Sequence, residues 1–193
     1  ADYQAGLDAY TAGRYKLAMQ EWKAVVEQPP TAVNPAIYVE AHYAIAKLYW
    51  QGQGVTRDYY AAHEWLQKAA RLGHAGAMAK LGYLHTDGIV VQQDFGKAFE
   101  WYSKAAKQGD VDGLYNLGIF YLNGWGTEPD ETMAKQYLAA ASAQGDDAAE
   151  QALQQLMARD QGGAPDPVRA GSAGDEAGAV SPQAKKRERN AVA

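Results

Sequence analysis

The sequence predicts an all-α protein, a right-handed α-solenoid of about four helical hairpins that ends in a C-terminal capping helix. Two observations carry this prediction. Similar amino acids recur every 36 residues along most of the chain, and the apolar and small residues within each repeat fall at helical spacing. Stacked repeats of this kind bury a continuous core that no single repeat could bury alone.

The 36-residue period is visible at seven positions of three successive repeats. The matching residues are Ala46, Gly82 and Gly118; Gly52, Gly88 and Gly124; Asp58, Asp94 and Asp130; Ala62, Ala98 and Ala134; Trp65, Trp101 and Tyr137; Ala69, Ala105 and Ala141; and Gly73, Gly109 and Gly145. We therefore place the repeats at 39–74, 75–110 and 111–146. A degenerate hairpin is predicted at 3–27, before the proline-rich segment 28–35.

Each repeat is predicted to form two helices joined by a turn. In the second repeat the turn spans 88–94, where Gly88 can take a positive φ after the first helix and Asp94 can cap the second helix. Glycine inside a helix costs about 1 kcal/mol relative to alanine. Because Gly82 and Gly118 recur in mid-helix, we expect them where the backbone of the partner helix leaves no room for a side chain.

The last part of the chain changes in character. A capping helix with a polar outer face is predicted at 147–158, which completes a repeat domain at 1–158. Residues 159–193 contain no aromatic residue and are rich in alanine, glycine and proline. This composition predicts a disordered tail.

The residues of the second repeat resemble those of the Sel1-like repeat, a tetratricopeptide-like (TPR-like) family. The resemblance is carried by Leu81-Gly82, His85, Gly88, Asp94, Lys97-Ala98, Trp101, Lys104-Ala105-Ala106 and Gly109. It covers about residues 39 to 146, with Ala46, His85, Val90 and Tyr137 as departures from the family pattern. The resemblance implies a protein- or peptide-binding adaptor or scaffold, in an assembly of the bacterial envelope.

The resemblance also implies that one face of the first helices lines a concave groove. Carried over by position, the binding residues are Tyr3, Tyr10, Glu40, Tyr43, Lys47, Trp50, Tyr83, Tyr115 and Asn123. Tyrosine and tryptophan are enriched at recognition sites, so we expect aromatic pockets to anchor apolar side chains of a bound segment. Glu40, Lys47 and Asn123 would fix its register. Packing against the capping helix is the alternative for Tyr115, and a cell-wall glycan or peptidoglycan is the alternative ligand for the groove.

The sequence contains no recognisable catalytic or metal-binding motif. The chain has no cysteine, and none of its four histidines has an i, i+4 histidine partner or lies in a metalloprotease motif. We therefore predict that the protein is not an enzyme and has no catalytic residue, no metal site and no cofactor. The net charge of −5 argues against nucleic acid as a partner. No apolar run reaches about 18 residues, so no membrane span is predicted.

The N-terminus bears on the location of the protein. The chain begins Ala1-Asp2-Tyr3, without methionine and without an apolar leader. A periplasmic or secreted protein in its mature form, lacking its signal peptide, would begin in this way, and this is the location we expect. A trimmed chain would begin in the same way, so a cytoplasmic location stays open.

Overall fold

The computed structural model describes residues 2–160, and within that range it contains nine α-helices and no strand. The helices are α1 (Tyr3–Thr11), α2 (Tyr15–Val26), α3 (Pro35–Gln51), α4 (Tyr59–Arg71), α5 (Ala75–Asp87), α6 (Phe95–Lys107), α7 (Val111–Asn123), α8 (Glu131–Ser142) and α9 (Asp147–Asp160), with a short 3-10 helix at Pro30–Ala32. The predicted all-α class and its hairpins are confirmed. Helix α9 includes the first two residues of the predicted tail, and the rest of that tail lies outside the described residues.

The chain divides into two compact units between Ala77 and Met78. The N-terminal unit contains α1 to α4 and the start of α5. Its core is formed by small and large apolar residues of three helices, including Ala18 and Trp22 of α2 and Ile45 and Leu48 of α3. Tyr49 and Trp65 pack against this core as partly buried residues.

The C-terminal unit contains the rest of α5 and helices α6 to α9. Its core includes Tyr102, Phe120, Leu138 and Leu156, all fully or almost fully buried. Helix α7 contributes eight consecutive buried residues, from Gly113 to Phe120. A helix buried on all sides in this way is the centre of its unit, and α6 and α8 both pack against α7.

The repeated aspartates cap helices, as predicted. The Asp58 carboxylate accepts hydrogen bonds from the backbone N–H groups of Tyr60 and Ala61 at the start of α4. Asp94 accepts from the N–H of Lys97 in α6, and Asp130 accepts from the N–H of Met133 in α8. Each side chain thereby satisfies backbone donors that have no partner within the helix.

The repeated mid-helix glycines are close to large side chains. A Cβ atom added to Gly82 would lie 2.8 Å from a ring carbon of Tyr102, and one added to Gly118 would lie 2.8 Å from Cγ of Leu138. The predicted packing role is therefore confirmed, but the predicted neighbour is wrong at Gly82. A side chain of the second helix, rather than its backbone, fills the space beside this glycine.

Candidate binding pocket of the N-terminal unit

The N-terminal unit has a concave pocket of about 130 Å³ between its first three helices. The lining residues are Tyr3, Leu7 and Tyr10 of α1, Trp22 of α2, and Glu40, Tyr43, Ala44 and Lys47 of α3. Five of the predicted binding residues are among them, namely Tyr3, Tyr10, Glu40, Tyr43 and Lys47. Residues three, four and seven apart lie on one face of a helix, which explains why both α1 and α3 contribute a stripe of side chains to the same pocket.

Trp22 holds the two tyrosines of α1 in place, a role that the sequence analysis missed. Its side chain is 2% exposed, and its indole N–H donates a hydrogen bond to the carbonyl oxygen of Tyr3 at 3.2 Å. The ring centroid lies 6.0 Å from that of Tyr3 and 5.8 Å from that of Tyr10. Gly6 makes this approach possible, because a Cβ there would lie 2.3 Å from the indole nitrogen.

The repeat period contains the signal that identifies this pair. Trp22 follows Ala18 by four residues, as Leu66, Tyr102 and Leu138 follow Ala62, Ala98 and Ala134. The glycine beside Tyr102 precedes it by 20 residues, whereas Gly6 precedes Trp22 by 16 residues. The turn between α1 and α2 is correspondingly shorter than the turn between α5 and α6. This difference in turn length hides the equivalence of Gly6 and Gly82.

His74 supports the other side of the pocket. Its Nδ1 accepts a hydrogen bond from the backbone N–H of Ala77 at 3.1 Å, so the imidazole caps helix α5. The ring stacks on Tyr43 with 4.0 Å between centroids, and Nε2 lies 3.4 Å from Oε1 of Glu40. Because Nδ1 acts as an acceptor, the ring proton is on Nε2, where it points to the carboxylate.

The role of His74 was also missed from the sequence, where the four histidines were considered as metal ligands or catalytic residues. Its position in the repeat is informative, because Asp110 and Asp146 follow it by 36 and 72 residues. Both aspartates cap helices, with Asp110 accepting from the N–H of Gly113 and Asp146 from that of Ala149. A histidine at this position keeps the cap and adds a ring that can stack on Tyr43.

Opposite charges mark the two ends of the pocket. Glu40 and Lys47 are two helical turns apart on α3, which corresponds to about 10 Å along the axis. The Lys47 ammonium lies 5.6 Å from the ring centroid of Tyr10, whose hydroxyl donates a hydrogen bond to Gln51 at 3.2 Å. Burial raises the pKa of Tyr3, with a smaller contribution from Glu40. Burial also raises the pKa of Tyr10, so both phenols stay protonated at neutral pH and can donate hydrogen bonds.

The other predicted binding residues lie outside this pocket. The ring of Trp50 packs edge-to-face on Tyr59, with 5.2 Å between centroids. In the C-terminal unit, Tyr83 is half-buried, and Asn123 is exposed with its amide donating to the carbonyl oxygen of Ile119. Tyr115 is 8% exposed and belongs to the core together with residues of α9. This burial contradicts the expected groove position of Tyr115 and favours the packing alternative.

The pocket residues suit binding through apolar contacts, hydrogen bonds and ion pairs. The lining includes one carboxylate, Glu40, and one ammonium, Lys47, among aromatic and aliphatic side chains. Within residues 2–160, no three histidine, aspartate or glutamate side chains form a group that could hold a metal ion. None of the helices in the described range combines the length and the apolar character needed to cross a bilayer.

Comparison with protein families gives one match. The model of the Sel1 repeat matches residues 39–74, 75–110 and 111–146, the same ranges that the 36-residue period defines. A comparison with curated proteins gave no significant match.

Solved structures of Sel1 repeat proteins are similar to this chain. A Sel1 repeat protein from Oxalobacter formigenes is 34% identical, with a TM-score of 0.56, and the alignment covers 60% of this chain and 87% of that one. The protective antigen c5321 of uropathogenic Escherichia coli, which has an SLR fold, is 27% identical with a TM-score of 0.59 over 86% of this chain and 42% of that one. Helicobacter pylori cysteine rich protein B shares the fold at 24% identity and a TM-score of 0.52, over 70% of this chain and 96% of that one.

Proposed function

We propose, because this chain belongs to the Sel1 repeat family, that it is an adaptor that binds a peptide segment of a partner protein in the pocket of its N-terminal unit. Sel1 repeats bind proteins, and the family consists of non-enzymatic interaction scaffolds. The observation that carries the proposal is the pocket itself. It joins three tyrosines and an oppositely charged pair on two helices that belong to different hairpins.

The size of the pocket supports a peptide ligand. At about 130 Å³ it is smaller than the sites of about 300–1,000 Å³ that enclose whole small molecules. A pocket of this size can take one apolar side chain between Leu7 and Ala44, while the rest of the ligand stays outside. Tyr3, Tyr10 and Tyr43 are half-buried, so each can offer part of its ring to the inserted side chain.

The charges of Glu40 and Lys47 favour a ligand peptide with charged residues on both sides of its inserted side chain. A basic group of the ligand would pair with Glu40, and an acidic group would pair with Lys47. An extended chain rises about 3.3 Å per residue, so the two charged residues of the ligand would be about three positions apart. Exposed ion pairs contribute little affinity, and we assign to them the register of the ligand rather than its anchoring.

The glycan alternative has less support. Aromatic rings can stack on sugars, but the comparisons provide no support for a glycan ligand, whereas they do support protein binding. The stacked face of Tyr43 is already covered by His74, which leaves less of that ring for a sugar.

We further propose that the adaptor works in the bacterial envelope. The E. coli protein with 27% identity is a protective antigen of uropathogenic strains, and this role fits a location in the envelope. Protease treatment of intact and of permeabilised source cells tests this location. Degradation only after the outer layers are opened would indicate the periplasm, and protection until the cytoplasmic membrane is lysed would contradict the proposal.

A displayed peptide library selected on the full chain tests the pocket. Affinities of the selected peptides would then be measured for the parent chain and for two variants. Tyr43→Ala removes an anchor, and Leu7→Trp fills the pocket from a position that is 36% exposed. We expect each to weaken binding about tenfold, as truncation of an aromatic anchor does at other interfaces.

Tyr60→Ala is the matched control. Tyr60 lies on α4, is 66% exposed and does not line the pocket, so its loss should leave the affinity unchanged. Circular dichroism would show that all variants remain helical. Selected peptides that bind Tyr43→Ala and Leu7→Trp as tightly as the parent would show that the pocket is not the site.

A further inference from the structure

A second groove lies in the N-terminal unit and shares no lining residue with the pocket described above. It has a volume of about 510 Å³ and is lined by Val26 and Glu27 at the end of α2, Tyr38 and His42 of α3, and Trp65, Lys68, Arg71 and Leu72 at the end of α4. Residues of α3 rotate by about 100° each around the helix axis. Tyr38 and His42 are therefore on the side of α3 opposite to Tyr43 and Lys47.

The long linker between α2 and α3 borders this groove. Helix α2 ends at Val26 and α3 begins at Pro35, whereas only residues 72–74 separate α4 from α5. Val26 and Tyr38 lie near the two ends of the linker, and the Tyr38 hydroxyl donates to the carbonyl oxygen of Val26 at 3.5 Å. The two ends of this linker therefore lie at the groove, while the other lining residues belong to α3 and to the end of α4.

Three rings form one wall of the groove. The centroids of Tyr38 and His42 are 4.7 Å apart, and those of His42 and Trp65 are 5.5 Å apart. His42 is buried and its Nδ1 lies 2.7 Å from the carbonyl oxygen of Tyr38. Burial lowers the pKa of His42, and Lys68 acts in the same direction, so the ring is neutral at pH 7.

The rim of the groove is cationic. The Lys68 ammonium lies 4.1 Å from the ring centroid of Trp65, and Arg71 donates to Gln67 at 3.2 Å while its side chain stays exposed. Glu27 is the acidic member of the lining. With two cations, one carboxylate and a neutral histidine, the groove carries a net positive charge in a chain whose net charge is −5.

We propose that this groove is a second binding site, for an acidic peptide segment whose apolar side chain lies against Trp65 and whose carboxylates pair with Lys68 and Arg71. Exposed Leu72 and half-buried Val26 offer further apolar contact. The two cations match two carboxylates, whereas nucleic acid is held by neutralising many phosphates in succession. The site does not depend on the peptide pocket, so either can be present without the other.

Two synthetic peptide pools test this site on the isotopically labelled full chain. The pools have the same apolar residues, and one contains Asp and Glu where the other contains Asn and Gln. We expect the acidic pool to shift the indole N–H signal of Trp65 in NMR spectra and to leave that of Trp22 in place. The double variant Lys68→Ala/Arg71→Ala should bind the acidic pool about fivefold more weakly, since each exposed ion pair contributes modestly.

Lys104→Ala is the matched control for this site. Lys104 lies 4.5 Å over the ring of Trp101, the same pair one repeat later, and its removal should leave binding unchanged. Equal binding of the amide pool, or an equal loss in Lys104→Ala, would overturn the proposal. A shift at Trp22 would assign the peptides to the first pocket instead. A shift of Trp65 by a single-stranded oligonucleotide, but not by the acidic pool, would replace the peptide with nucleic acid.

Discussion

The hairpin α1–α2 and the hairpin α7–α8 both place a glycine of the first helix against a large side chain of the second. In α7–α8, Gly118 faces Leu138, and the residues around Gly118 are buried on every side of the helix. In α1–α2, Gly6 faces Trp22, but only Gly6 and Ala9 of α1 are buried. Tyr3 and Tyr10 cover the indole and stay half-exposed themselves. The same packing device thus closes a core in one hairpin and shapes a pocket in the other.

Replacing Gly82, the glycine of the C-terminal unit that is equivalent to Gly6, should have the largest effect on stability. In Gly82→Leu, the new side chain would collide with Tyr102, which is fully buried and cannot swing out to solvent. We expect the free energy of unfolding, measured with urea, to fall by about 3 kcal/mol or more.

Gly96→Ala is the control for that loss. Gly96 is exposed on α6, and a Cβ there would meet only Asp94 at 3.3 Å. The alanine should change stability by no more than about 0.5 kcal/mol in either direction, because its better helix propensity is offset by the close contact with the Asp94 carboxylate. A stable Gly82→Leu variant would show that Tyr102 and Gly82 are not in contact.

Gly6→Ala should have a smaller effect on stability and a larger one on binding. The added methyl group displaces Trp22, which costs about 1–3 kcal/mol in a packed site, and the cost is limited because only Gly6 and Ala9 of α1 are buried. Because Trp22 holds Tyr3 and Tyr10, peptides selected on the pocket should bind at least about fivefold more weakly.

Gln4→Ala is the control, because Gln4 lies on the exposed side of α1. This change should have little effect on the free energy of unfolding or on the affinity for the selected peptides. If Gly6→Ala bound peptides as tightly as the parent chain, the position of Trp22 would not matter to the pocket. The proposal that the Gly6–Trp22 contact shapes a binding site would then be wrong.

His74→Asn should have the smallest effect on stability. Asparagine is a good helix cap, so it replaces the acceptor that His74 provides to Ala77, and we expect a change within about 0.5 kcal/mol. The variant loses the ring that stacks on Tyr43, and the affinity for pocket peptides should fall about threefold. The corresponding change in the C-terminal unit, Asp110→Asn, should leave both quantities unchanged. Equal affinities for parent and His74→Asn would limit His74 to helix capping.

The fold was predictable because the 36-residue period repeats the same physical requirements three times. Asp58, Asp94 and Asp130 cap helices, and Gly82 and Gly118 leave room for a neighbour, so each prediction was supported by independent copies. The first hairpin occurs once and has a shorter turn. No second copy indicated that Gly6 and Trp22 correspond to Gly82 and Tyr102.

The residues that line the candidate pocket were predictable only in part. The helical face placed Tyr3, Tyr10, Glu40, Tyr43 and Lys47 along a groove of the first helices, and in the structure these five residues line one pocket. It also gave Tyr115, which lies in the core, because a periodicity cannot tell a face covered by neighbouring helices from one left open. The stack of His74 on Tyr43 joins the residue that caps α5 to a residue in the middle of α3, and their distance depends on tertiary packing that no local pattern contains.

The positions of Glu40 and Lys47 on α3 give the pocket a polarity. A segment lying along this helix would meet a negative group at one end and a positive group at the other, with the apolar cavity between them. Such a surface can distinguish a sequence from its reverse, even when the two have the same composition and the same central anchor. The partner would then be attached with its chain running in one defined sense, so whatever follows the bound segment would always leave the adaptor on the same side.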